Sequence, residues 1–380
     1  MREAPILGTA PDGDGTRTSV RLDEDAFVQL VSSGYWYPGL WRDLPAAIQA
    51  ANRGDYAPVL RLAAETVTVE AGPEDPPTSS EALYLSVICH DYPQLWDAST
   101  PMAARRAEAE GRIAAYPPET FAPFSASAWT GTDYEGVFAC LRWPSGSRPD
   151  PPDPPGAVYP DVPTLVLNGD LDTITASSGA REVARRFPGS AFVELANSLH
   201  VTALYDWDLC ASRIYVRFVR NLTPGDTSCA GDVGEWNVVP AFSVSVEETK
   251  PAGHAPGDDS TRDDRRLAAA AARTAADVIA RWMVNYDGTG VGLRGGRWSY
   301  AGYPNVRFRL VNVRLVPGAF VTGTVHWAYE GGAVNARLDV KGPDGTTGSL
   351  RMAWLKRPQA IATLEGVIDG RQLRATMPAP

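Results

Sequence analysis

The stretch that most constrains this chain is a short apolar run, Thr164-Leu165-Val166-Leu167, set behind Pro163 and followed by Asn168-Gly169-Asp170-Leu171-Asp172. Aliphatic and β-branched residues without polar alternation read as a strand buried on both faces, the environment of a parallel sheet. Asn168-Gly169 opens a turn that exposes Asp172 at the strand's carboxyl end. A helical pattern follows from Ser177 to Phe187, then a second strand from Ser190 to Leu195, then a loop that carries His200. The expected nucleus of this region is therefore a strand, helix and strand with an acid and a histidine in its end loops.

Charge and hydropathy narrow the partners. The formal net charge is −10, the isoelectric point is near 5.0, and neither Arg nor Lys gathers into a basic stripe along the chain. That argues against a nucleic acid or an anionic membrane as partner. An apolar content of 44% with 21% charged residues is that of a folded globular chain, and 380 residues leave room for two or three domains. No apolar run reaches the roughly 18–20 residues that span a bilayer. The nearest, Leu267 to Tyr286, is interrupted by Arg273, Asp277 and Arg281 and reads as a soluble helix. The opening Met1-Arg2-Glu3-Ala4-Pro5 has no apolar core of the kind a secretory signal requires.

The cysteines point the other way. Cys89, Cys140, Cys210 and Cys229 include no C-x-x-C pair, so zinc or iron–sulfur ligation is not indicated, and no cofactor is implied. Neighbourhood in sequence favours Cys89 with Cys140 and Cys210 with Cys229, while three pairings are formally open. Disulfides persist in oxidising compartments, which makes the expected parent protein an exported one, extracellular or in the cell envelope.

Along the chain, residues from about Asp23 to Tyr116 pattern as helices: Asp23 or Asp25 can cap one through Ser32, and Leu40 to Asn52 is amphipathic. Two Pro-rich stretches, Gly72 to Ser80 and Pro144 to Pro163, read as a loop and a semi-rigid connector. Leu204 to Asn221 reads as a helix behind His200. Val238 to Val246 alternates like a strand, an acidic, disordered-looking loop runs to Asp259, and Arg265 to Tyr286 is an Ala-rich helix. Beyond it, Val306 to Leu315, Phe320 to Trp327, Val334 to Val340, Ser349 to Leu355, Ala360 to Ile368 and Gln372 to Met377 alternate between turn signals. That is the pattern of an antiparallel meander.

An acid after a strand, then a strand, then a histidine is the chain order of α/β-hydrolases, whose serine comes earlier on a G-x-S-x-G elbow. No serine of this sequence stands in that frame. With these motifs placed, the chain resembles the C-terminal portion of actinobacterial tripeptidyl-aminopeptidase-like α/β-hydrolases over roughly Ala4 to Gly231. The resemblance rests on Pro163 to Asp172, on Val87-Ile88-Cys89-His90-Asp91 with Ala139-Cys140-Leu141-Arg142-Trp143-Pro144, and on Cys210 and Cys229 bracketing the last helix. Asn197-Ser198-Leu199-His200 departs from it in lacking the small Gly that often precedes the family's histidine.

The resemblance up to Gly231 and the strand patterns beyond it together give an α/β fold in three parts. Residues 1–155 would be a helical lid, 156–232 the last strands and helices of a partial hydrolase core, and 233–380 a β-rich α+β accessory domain with one helix. The resemblance also implies a secreted peptidase acting on peptides through a Ser-His-Asp triad, with Asp172 as acid, His200 as base, and the serine in an N-terminal segment that this chain lacks. An exopeptidase binds a free peptide amine, so Asp91, Asp133 and Glu135 are candidate substrate-binding carboxylates. Blander readings stand beside these. Asp172 can be a turn cap, with Asp170 as its rival acid, and His200 a solvated loop histidine. Trp36, Trp41, Trp96 and Trp129 can line a cleft or fill lid core. Trp298, Tyr300, Tyr303, Trp327 and Tyr329 can form a binding platform or pack a strand face. The second functional reading is a non-catalytic remnant that binds peptide or envelope material.

Overall fold

The computed structural model describes residues 3–12, 15–34, 38–70, 80–132, 137–144, 154, 156–204, 209–235, 237–285 and 288–380. In chain order the elements are β1 (Ile6–Pro11), β2 (Arg17–Leu22), α1 (Glu24–Ser33), α2 (Pro38–Asn52), α3 (Ala57–Glu70), α4 (Glu81–His90), α5 (Arg105–Ala114) and α6 (Ala126–Thr130). There follow β3 (Leu165–Gly169), α7 (Ser177–Arg186), β4 (Ala191–Leu195), α8 (Cys210–Asn221), β5 (Gly253–His254) and α9 (Arg262–Asn285). The chain ends in β6 (Thr289–Val291), β7 (Arg297–Ala301), β8 (Asn305–Val313), β9 (Phe320–Ala328), β10 (Ala333–Lys341), β11 (Thr347–Leu355), β12 (Ile361–Ile368) and β13 (Arg371–Pro378). The fold is mixed α/β, with helices and a large antiparallel sheet, as expected.

The chain divides into two compact units. One comprises Met1–Leu7, Arg21–Ser33 and Glu70–Pro160; the other comprises Gly8–Val20, Gly34–Val69 and Asp161–Pro380. In the first, the Cys89–Cys140 disulfide ties α4 to the segment after α6. Cys89, Trp96, Ala109 and Cys140 are buried together. The Arg105 guanidinium lies over the Trp96 ring at 5.8 Å and donates to the Leu141 and Trp143 carbonyls at 3.2 and 2.6 Å. Trp96 is therefore core. Asp23 caps α1, its carboxylate accepting the Ala26 N–H at 3.2 Å. Glu24 accepts the Ser125 N–H and hydroxyl at 2.9 and 3.0 Å, which joins α1 to the cap of α6.

In the second unit, the large sheet runs β5-β13-β12-β11-β10-β9-β8-β7-β6. Its strands alternate: in β8 Val306, Phe308 and Leu310 are buried while Arg307, Arg309 and Val311 are exposed, up to a register shift between Leu310 and Val313, and β10 repeats the pattern. The buried face packs against α9. That helix starts with a reciprocal cap, Thr261 Oγ1 accepting the Asp264 N–H at 3.1 Å and Asp264 Oδ2 accepting the Thr261 N–H at 2.8 Å. Its alanines, among them Ala268 to Ala272, Ala275 and Ala276, are buried, and small side chains let the helix approach the sheet closely. At its far end Trp282 meets Phe308 and Trp327 edge-on, with centroids 6.1 and 5.6 Å apart. Trp298 and Trp327 belong to this core, so strand packing, not a binding platform, accounts for them.

The meander was expected, but β6, β7 and the β1–β2 pair were not. Val238 to Val246 is not a strand: among the described residues the only pairing before α9 in this region is the two-residue β5, and Val239 instead donates its N–H to the Arg42 carbonyl at 3.0 Å. Pro240, the third residue of that run, lacks the N–H a ladder needs. The acidic loop is ordered around Asp258, which is buried and accepts from Ser260 and from the Arg374 N–H at 3.1 Å.

The charges inside α9 do not face water. Arg61 of α3 forks onto Asp277 at 2.7 and 2.9 Å. Arg281 donates to Asp43 of α2 at 2.7 Å and also pairs with Glu65 of α3. All five side chains are buried, and the cluster fastens α2 and α3 to α9. Helices α2 and α3 therefore group with the C-terminal sheet, while α1 belongs to the other unit. Among the described residues no helix is long and apolar enough to cross a membrane.

Candidate active site

Strands β3 and β4 pair in parallel, Leu165 with Ala191 through Gly169 with Leu195, and α7 connects them. Behind them Val193, Leu195, Cys210, Ala211, Ile214 and Ala230 form a small core that Leu165 and Leu167 join. The Cys210–Cys229 disulfide holds α8 to the segment that follows it. From there the Ala230 carbonyl accepts the Ala196 N–H at 2.9 Å, anchoring the exit of β4.

The loop carrying His200 crosses the end of β3, and Gly169 is the residue that lets it. A Cβ at Gly169 would lie 2.0 Å from the Ser198 carbonyl oxygen. The crossing is stitched by Asp170 N–H to Leu195 O and Leu171 N–H to Ser198 O, both 3.0 Å, and by Ser198 N–H to the Asp170 carboxylate at 3.2 Å. Asp170 thus holds the loop and does not contact the imidazole. Asn197 turns the chain with φ +51°, a left-handed conformation that glycine adopts freely and asparagine tolerates. Its side-chain amide donates to the Val233 carbonyl at 2.7 Å. This is how the loop manages without the small Gly expected before the histidine.

Asp172 is buried, and all its described contacts come from the turn and the histidine. Oδ1 accepts the Ile174 and Thr175 N–H groups at 2.9 and 2.8 Å. Oδ2 accepts the Thr175 hydroxyl at 2.7 Å and stands 3.0 Å from His200 Nδ1. Thr175 Oγ1 is itself 3.3 Å from that nitrogen. Burial on its own would raise the Asp172 carboxyl; hydrogen bonds from the Thr175 N–H, His200, the Thr175 hydroxyl and the Ile174 N–H outweigh it and hold the group below the usual carboxylate range. An ionised carboxylate only accepts, so the proton of the shared hydrogen bond sits on Nδ1 and the ring's basic lone pair on Nε2. This pair can orient an imidazole and stabilise its cation.

The other expected residues fall elsewhere. Asp91 closes the C-terminus of α4 in the first unit, exposed, with its carboxylate 2.8 Å from His90 Nδ1. Glu135, Asp133 and Trp36 lie outside the described residues. Trp129 stacks on Phe124 at 6.1 Å. Cys89 is in a disulfide and offers no thiol. Gly169 was expected to open the turn before Asp172, but Thr175 was not among the expected site residues. An Asp followed three residues on by a hydroxyl residue just before a helix is a turn-and-cap signal that could have found Thr175.

No curated protein and no solved structure matches the chain. Residues 126–229 match the family model described as TAP-like protein, so the stretch that holds Asp172, Thr175 and His200 is a TAP-like α/β-hydrolase region.

Proposed function

We propose that Asp172 and His200 are the acid and base of a serine-hydrolase triad, and that the protein is a secreted, tripeptidyl-aminopeptidase-like peptidase. The observation that carries this reading is the 3.0 Å contact between Asp172 Oδ2 and His200 Nδ1, set in the strand-end loops of a TAP-like α/β-hydrolase region. A hydrolase-type function follows from that region. The substrate, the triad and secretion are the proposal, and the two disulfides support an oxidising compartment.

In this reading His200 Nε2 takes the proton of a serine hydroxyl as it attacks a peptide carbonyl. Asp172 fixes the tautomer and stabilises the imidazolium, and His200 then protonates the leaving amine. The serine comes from a hydrolase segment outside this sequence, docking its strands beside β3 and β4. Residues 156–232 are then the acid-and-histidine part of the core and 233–380 an accessory domain.

The test is labelling by a fluorophosphonate of the full reading frame as it lies in the genome, including whatever precedes Met1. The expected result is a labelled serine, with His200→Ala abolishing labelling and Asp172→Asn slowing it on the order of 10⁴-fold. Labelling that is absent, or untouched by His200→Ala, sinks the triad and leaves the non-catalytic binding remnant.

A further inference from the structure

The large sheet keeps α9 on one face and turns the other to water. On that outer face the register lines up Arg309 of β8, Thr324 of β9, Arg337 of β10, Arg351 of β11, Glu365 of β12 and Arg374 of β13 in one row. In the adjoining row Arg307 stands opposite His326, which stands opposite Asn335. All the arginines named are exposed. Arg337 and Arg351 are direct cross-strand partners, and like charges placed so cost stability. Among the described residues, none of Arg307, Arg309, Arg337 and Arg351 has a carboxylate within 4.0 Å. A chain of net charge −10 thus gathers guanidiniums without ion pairs on one open surface, where Glu365 is the single carboxylate of the row.

We propose that this face binds an acidic polysaccharide, an extended glycan bearing carboxylate or sulfate groups. Charge complementarity sets the sign of the partner. Its form follows from the spread of the row, which runs across β8 to β13 at about 4.8 Å per strand, roughly 24 Å in all, with no enclosing wall. A polymer spans that distance and a small anion does not. Guanidiniums fork onto carboxylate and sulfate oxygens, while Thr324, Asn335 and Thr363 between them offer hydroxyl and amide partners to sugar hydroxyls. Single-stranded nucleic acid is held on stacking aromatic rings. These two rows hold no phenyl, phenol or indole group, because Phe308, Trp327 and Trp354 all belong to the opposite, buried face. The two disulfides support an oxidising compartment, the setting in which such glycans are exposed.

The full chain is titrated at several salt concentrations with polygalacturonate, heparin, neutral dextran, DNA oligonucleotides and phosphatidylglycerol vesicles. Binding of polygalacturonate or heparin that weakens as salt rises, without binding of dextran, is expected; the tighter of the two tells carboxylate from sulfate. Replacing Arg337→Ser and Arg351→Ser together should weaken binding at least about tenfold, with the melting temperature unchanged or raised because the opposed charges are gone. Arg307→Ser with Arg309→Ser, on a neighbouring strand, should act in the same direction, and Arg106→Ser in the other unit should change nothing. Failure of both acidic glycans to bind overturns the proposal. So does undiminished binding by both double variants, or tighter binding of DNA or vesicles at equal salt.

Discussion

The parallel pair β3–β4 and the large antiparallel sheet lie in the same unit and are completed differently. The large sheet buries one whole face on α9, and its core takes in residues from Val246 to Ala379. Its outer face is polar and water-tolerant by alternation. The parallel pair has two five-residue strands, and among the described residues neither has a second neighbour. Leu165 to Leu167 remain half-buried where a parallel sheet would enclose them. Antiparallel meanders carry their own partners in sequence, whereas a parallel strand depends on segments far away. The self-sufficient region is thus the one without the candidate catalytic residues, and the region that holds them is the one left with open edges.

Four substitutions or deletions and one titration would break or sharpen that contrast. The largest effect should come from removing residues 231–380. Residues 1–230 alone would keep the open edges of β3 and β4 and would also strand Arg61, Glu65 and Asp43 without Asp277 and Arg281. Aggregation is expected, and a monodisperse, cooperatively melting preparation would contradict it. Next, Arg281→Ala in the full chain should cost about 3–5 kcal/mol by denaturant unfolding, since it leaves Glu65 buried without its ion pair and Asp43 with only Arg42 and Arg61, at 3.3 and 3.6 Å. A loss under about 1 kcal/mol would mean the cluster is dispensable to the sheet region.

Gly169→Ala acts on the parallel pair. The added methyl must push the Ser198 carbonyl away, at about 1–3 kcal/mol, and the His200 loop with it. The diagnostic is the His200 imidazole resonance by NMR, which should lose its coupling to Asp172. Thr175→Val is milder, about 1 kcal/mol, because it removes one hydrogen bond to Asp172 and leaves the two backbone donors. Thr175→Ser should restore it.

The smallest effect is on acid stability. Asp172 titrates below its unfolded value of 3.8, so its contribution is complete above about pH 4 to 5 and is lost as pH falls through the lower folded value. Asp258 and Asp264, in the sheet region, are held low in the same sense, burial opposing and hydrogen bonds prevailing. Melting temperatures taken from pH 6 down to pH 3 should therefore fall, and fall less steeply in Asp172→Asn. Identical slopes would remove Asp172 from the account.

Much of this was readable beforehand, and the reasons differ by element. The strands from Asn305 to Pro378 announce themselves because one face is buried and the other wet, so a period of two is written into each. The strand, helix and strand around Asp172 were legible because Pro163, Asn168 and Gly169 punctuate them. The parallel register and the 3.0 Å contact were not. β6 and β7 were missed because Gly292, Gly295 and Gly296 interrupt a pattern only a few residues long. Val238 to Val246 misled because its alternation serves isolated burial, of Phe242 and Val246, without a ladder.

Periodicity, capping residues and turn chemistry are local, and from them the chain alone determined its helices, its meander and an acid and a histidine at two strand ends. Only tertiary structure decided that Arg61 and Arg281 reach carboxylates 216 residues away, that Thr175 shares Asp172 with His200, and that arginines spaced singly along four strands become one row. Such pairings depend on which strands and helices meet. Contact energies between distant residues fix that, and no spacing along the chain records it.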